Sequence, residues 1–110
     1  MPSTLFARFN IQLQSSPDLE ASLGEWEQLL TDAAIEGLAE DQEFFYIAEK
    51  RVIGISVPFD GDSPQSLLEA GSALGYCHAA WVASERTDAE QSWLSINASD
   101  DSIISTTVAA

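Results

Sequence analysis

The sequence predicts an α+β domain in which two helices cover one face of an antiparallel sheet. Three observations predict it. Stretches of period-two hydropathy and stretches of helical hydropathy succeed one another along the chain. Both helical stretches open on a Ser-Pro step, Ser16-Pro17 and Ser63-Pro64, a helix-start signal. The chain is 110 residues long and 45% apolar, with three Trp and five Phe. That length suits a single core burying roughly two-thirds of the unfolded surface, and such bulk is foreign to disordered chains.

In order, Leu5, Ala7, Phe9, Ile11 and Leu13 share one parity while Arg8, Asn10 and Gln12 take the other, the pattern of a half-buried strand. Ser16 then reads as an N-cap with Pro17 in the first helical position. Leu19, Leu23, Trp26, Leu30 and Ala33 recur at helical spacing, and Gly37 is the candidate C-terminal cap. Residues 43–57 are aromatic and β-branched. Phe44, Phe45, Tyr46 and Ile47 form one strand, Val52, Ile53, Ile55 and Val57 a second, and Pro58 ends it. The turn between them holds Glu49-Lys50, which favours no particular hairpin and leaves the register open.

Asp60-Gly61-Asp62-Ser63-Pro64 is a loop followed by a helix start capped by Asp62 or Ser63. The helix runs to about Ser84. Leu67, Gly71, Leu74, His78, Trp81 and Val82 are its expected apolar face, with Gly71 and Gly75 admitting close approach to the sheet. His78 is expected to lie neutral in the core with a lowered pKa. After a loop at 88–90 comes a strand at 93–98 with Leu94 and Ile96 on one face, then a turn at Asp100-Asp101 and an extra edge strand at 103–108. The order βαββαβ resembles the split-βαβ, ferredoxin-like arrangement, a resemblance of architecture that fixes no function.

Charge is the most informative quantity. Eighteen Asp and Glu face four Lys and Arg, a net charge of −14. Such a field repels nucleic acid and anionic membrane and attracts basic surfaces. Cys77 is the only cysteine, which excludes an intramolecular disulfide and a four-thiolate metal site. The N-terminal residues lack the pattern of a signal peptide, and no apolar run reaches the ~18 residues of a membrane span, so a cytoplasmic location is expected. Asn97-Ala98-Ser99 matches a glycosylation sequon by chance on that expectation.

Residues 9–49 carry ten carboxylates and no Lys or Arg. At 100° per residue Asp18, Glu25, Asp32 and Glu36 form one stripe beside the apolar face, with Glu20 and Glu27 on the other flank. With Glu40 and Asp41 beyond the helix, this stripe is the expected partner-binding surface. Like charges at these spacings repel, so a basic partner is implied; a plain solvated face is the competing reading. A second expected interface, for a partner or for a homodimer, is the charge-poor helix face of Glu69, Ser72, Tyr76, Ala80 and Ala83, because interfaces are depleted in charge and enriched in Tyr.

No catalytic residue, metal site or cofactor is implied. His78 has no second histidine to share a zinc ion, and Cys77, its neighbour, points about 100° away on a helix. Asp60 and Asp62 do not complete a calcium loop. The expected function is a non-enzymatic acidic protein that neutralises or inhibits a basic, nucleic-acid-binding partner, in the manner of a nucleic-acid mimic, an immunity protein or a phage anti-defence protein. The alternatives are a small enzyme or ligand-binding domain, marked by a deep pocket holding His78 or Tyr76, and a structural module of an acidic assembly.

Overall fold

The alternating N-terminal segment becomes the strand on which everything else is built. In the computed structural model, which describes residues 4–39, 41–98 and 108–109, β1 (Thr4–Leu13) lies between β3 (Val52–Asp60) and β4 (Ala89–Asn97). The edge strands are β2 (Glu43–Ile47), beside β3, and the two-residue β5 (Val108–Ala109), beside β4. All pairings are antiparallel, in the spatial order β2-β3-β1-β4-β5. The helices α1 (Leu19–Glu36) and α2 (Pro64–Ser84) pack on each other; α1 rests on β2 and β3, α2 on β3 and β1.

The core lies between helices and sheet. Ala7, Phe9, Ile11 and Leu13 of β1 and Ile53, Ile55, Val57 and Phe59 of β3 meet Trp26, Leu30, Ala33 and Ala34 of α1 and Ala70, Ala73, Leu74 and Cys77 of α2. The other parity of β1 is not solvated as its polarity implied: Arg8 and Asn10 are each 1% exposed. A strand flanked on both sides offers its helix-free face to the side chains of both neighbours. Arg8 Nε donates to Ser56 Oγ at 3.2 Å and its guanidinium lies 5.5 Å from the Phe45 ring centre. Asn10 Nδ2 donates to Ser95 Oγ and to the Trp93 carbonyl, and Ser95 Oγ donates to Asn97 Oδ1. These bonds are what make burial of the polar row tolerable.

Several local expectations shift. Helix α1 starts on Asp18, not Ser16, and no side chain caps it; Ser16 Oγ instead accepts from the Asp18 amide. The hairpin between β2 and β3 closes through a 3-10 turn, Ala48–Lys50, and a left-handed Arg51 at φ 55°. Pro58 does not end its strand. β2 pairs with β3 only as far as Ser56, so the missing N–H of Pro58 falls where β3 has no neighbour on that side, while Pro58 still stands opposite Phe6 of β1. Ser63 caps α2 by accepting from the Ser66 amide, with Pro64 in the first turn as expected. β4 begins at Ala89, earlier than its apolar pattern. Of the expected C-terminal strand at 103–108 only Val108 is described, paired into β5 together with Ala109, and the Asp100-Asp101 turn lies outside the described residues. Asn97 is 2% exposed, so the sequon asparagine is no surface acceptor.

Candidate functional site

The residues that fix α1 on the sheet also decide where its charges point. Trp26, Leu30, Ala33 and Ala34 are buried, with Leu19, Leu23 and Leu29 packed against the core. That leaves Asp18, Glu25, Asp32 and Glu36, and the flanking Glu20 and Glu27, exposed on the solvent side. Gln28 Nε2 donates to Asp32 Oδ2 at 2.8 Å. Among the described residues Asp18, Asp32 and Glu36 take part in no ion pair.

Glu25 differs, because a base from a distant part of the chain reaches it. Arg86, just past α2, donates Nη1 to Glu25 at 3.1 Å and Nη2 to Asp88 at 3.0 Å, and its guanidinium lies 4.5 Å from the Trp26 ring centre. Trp26 Nε1 donates to Asp88 Oδ2 at 3.0 Å. The hydrogen bond to Asp88 raises the Arg86 pKa above its ordinary value, against partial burial and with help from Glu25. Partial burial pushes the Asp88 carboxyl up, but the hydrogen bonds from Arg86 and Trp26 outweigh it and hold the pKa below the usual value. The repulsion along the stripe is therefore offset at one of its members. Beside this cluster a shallow groove of about 580 Å³ runs along the stripe, lined by Glu25, Gln28, Asp32 and Arg86 among others.

Glu40 lies outside the described residues. Asp41 is exposed and lines a cleft of about 340 Å³ between the end of α1, the end of β3 and the first half of α2, with Leu38, Pro58, Ser66 and Glu69. This end of α1 is where the sequence expectation and the structure part most clearly. Gly37 keeps an ordinary φ of −80°, and Leu38 takes the left-handed turn at φ 67°. Its amide bonds to Ile35 and that of Ala39 to Ala34, the Schellman pattern in which glycine usually holds the left-handed place. Gly37 serves the helix contact instead, since a Cβ there would stand 2.6 Å from Ala73 Cα.

Helix α2 is rotated relative to expectation. Ala70, Ala73, Leu74 and Cys77 are buried, with Ala80 and Trp81 packed against them. Leu67, Gly71, His78 and Val82, expected in the core, are exposed. The His78 ring meets Phe9 and Trp81 edge-on at 5.9 and 5.8 Å. A Cβ on Gly71 or Gly75 would meet nothing within 4 Å, so neither glycine serves a close approach to the sheet. Of the second expected interface, Ala80 belongs to the core margin, whereas Glu69, Ser72, Tyr76 and Ala83 are exposed, Tyr76 on the α1 side beside Gly37. The close α1–α2 contact at Gly37 meets Ala73, so a small residue of α2 faces α1 there, while Leu74 and Trp81 face the core.

Neither His78 nor Tyr76 lines the cleft at the end of α1, the groove along the stripe or the smaller hollow beside Leu13 and Asp18, and no group of three metal-ligating side chains gathers among the described residues. Likewise, no helix among them is long and apolar enough to cross a membrane. Comparison with protein-family models, curated proteins and solved structures finds no match to this chain.

Proposed function

We propose that this chain is a non-enzymatic binding protein that neutralises a basic protein partner through the outward face of α1. The observation that carries this reading is the row Asp18, Asp32 and Glu36, exposed and without an ion pair among the described residues. A helix surface usually mixes signs because paired charges stabilise it and like charges do not. A row left unbalanced gains its counter-charge from a partner.

Charge density refines the reading. From Asp18 to Glu36 the helix rises about 27 Å, so successive stripe carboxylates stand about 10, 10 and 6 Å apart along the axis. Duplex nucleic acid carries a charge about every 1.7 Å along its axis. The stripe complements a basic surface without reproducing the phosphate spacing, which supports an inhibitor that covers a basic groove over a close copy of a duplex. The order β2-β3-β1-β4 with both helices on one face supports the ferredoxin-like arrangement as the scaffold presenting the stripe.

The test uses Asp18→Lys, Asp32→Lys and Glu36→Lys together, which spares the Glu25–Arg86 pair. Affinity for a panel of basic nucleic-acid-binding proteins is measured over a salt series, with and without competing DNA. The expected outcome is binding that weakens with salt, is lost in the triple variant and competes with DNA, since exposed charges are screened over about 8–10 Å. Binding indifferent to salt and to the three reversals would overturn the reading.

A further inference from the structure

We propose that two copies of this chain associate through the exposed face of α2. This surface is separate from the acidic stripe, and the inference does not rest on that reading. Helix α2 has 21 residues and a single charged one, Glu69, which lines the cleft on the α1 side. Its solvent face therefore carries no charge in a chain of net charge −14. It does carry large apolar groups: Leu68 is 67% exposed and Val82 59%, with Leu67 at 43%. The surface continues onto β4. Buried Phe9 lies beneath the junction, touching His78 and Trp81 on α2 and standing opposite Leu94 of β4, and Leu94 and Ile96 are about half exposed.

Charge selects the occupant. A basic partner is drawn to the carboxylates elsewhere, not to a neutral face. Two copies repel wherever their acids approach, and this face is where contact brings no carboxylates together. The face is also self-complementary. Leu68 and Val82 stand seven residues on either side of Gly75. A two-fold axis through Gly75 sets Leu68 of one copy against Val82 of the other and Gly71 against Ala79, so that large groups meet near the gaps left by glycine. That is the isologous geometry of a cyclic dimer. The strip is about 31 Å long. With the β4 shelf it offers roughly 600 Å² per chain, or roughly 1,200 Å² in all, the lower limit for a specific interface.

Sedimentation equilibrium up to roughly 1 mM protein, at low and high salt, tests this. Gly75→Glu places charge at the axis, and because nothing lies within 4 Å of that Cβ the fold survives, as circular dichroism would register. Leu68→Glu is the second variant. The expected result is a wild-type dimer that tightens as salt screens the repulsion between copies, and that weakens at least tenfold in each variant. A wild-type chain that stays monomeric throughout, a dimer that loosens with salt, or one that Gly75→Glu leaves unchanged would overturn the proposal.

Discussion

Leu38 holds a backbone conformation that costs a non-glycine residue about 1–2 kcal/mol, and it is 87% exposed. Nothing in its packing offsets that cost. Leu38→Gly is therefore expected to stabilise the fold by about 1 kcal/mol in urea unfolding, with the Schellman hydrogen bonds intact. Cys77 is the opposite case, fully buried with its Sγ 3.5 Å from the Leu30 carbonyl. Burial pushes its pKa from an ordinary 9.0 up to about 12. The folded thiol keeps its proton where the unfolded thiol has lost it. The stability this contributes is full below pH 9.0 and is lost as pH rises toward 12, at no more than about 1.4 kcal/mol per pH unit. Unfolding curves at neutral and alkaline pH are expected to show a smaller alkaline loss in Cys77→Ala than in the wild type. Equal losses would count against a buried neutral thiol.

At the scale of elements, the cluster of Arg86, Asp88, Glu25 and Trp26 joins α1 to the segment between α2 and β4. Exposed ion pairs contribute a few tenths of a kcal/mol, and a guanidinium stacked on indole about 0.5–1 kcal/mol. Arg86→Ala is accordingly expected to destabilise by about 1 kcal/mol, with most of the loss persisting at high salt because the stacked contact is screened least. The depressed Asp88 pKa adds stability above its ordinary value of 3.8 that disappears as pH falls through the folded value. Removing Arg86 should flatten that acid limb of the pH–stability curve. Unchanged thermal unfolding and an unchanged acid limb would show that the cluster ties nothing together. The α1–α2 contact is a steric matter: Gly37 is the point at which the helices come closest, and its lack of a side chain permits the contact.

Over the whole molecule, charge is segregated. The outer side of α1 gathers carboxylates, whereas the outer side of α2 has none beyond Glu69 at its margin. The two proposed surfaces must then respond to salt in opposite senses. Binding of a basic partner to α1 weakens as ionic strength rises, while self-association through α2 strengthens, because the same screening removes attraction in one case and repulsion in the other. Measured on one preparation, the two signs separate the proposals, and either can fail while the other stands.

The sequence alone determined the α+β class, the order of elements, the two helix starts to within a few residues and the inward face of β1, because period-two and period-3.6 patterns are local. It also placed the carboxylates of α1 on the solvent side, since Trp26 and Leu30 set the phase of that helix. The phase of α2 was not legible: with one charge in 21 residues no polar face marked the outside, and its rotation is set by packing on α1, β1 and β3 together. The burial of Arg8 and Asn10 depended on β1 lying between two strands, a position no local pattern encodes. The pairing of Arg86 with Glu25, 61 residues apart, and the left-handed turn at Leu38 in place of Gly37 were likewise decided by tertiary contact. Each of these depends on which distant backbone comes near, and local hydropathy carries no record of that.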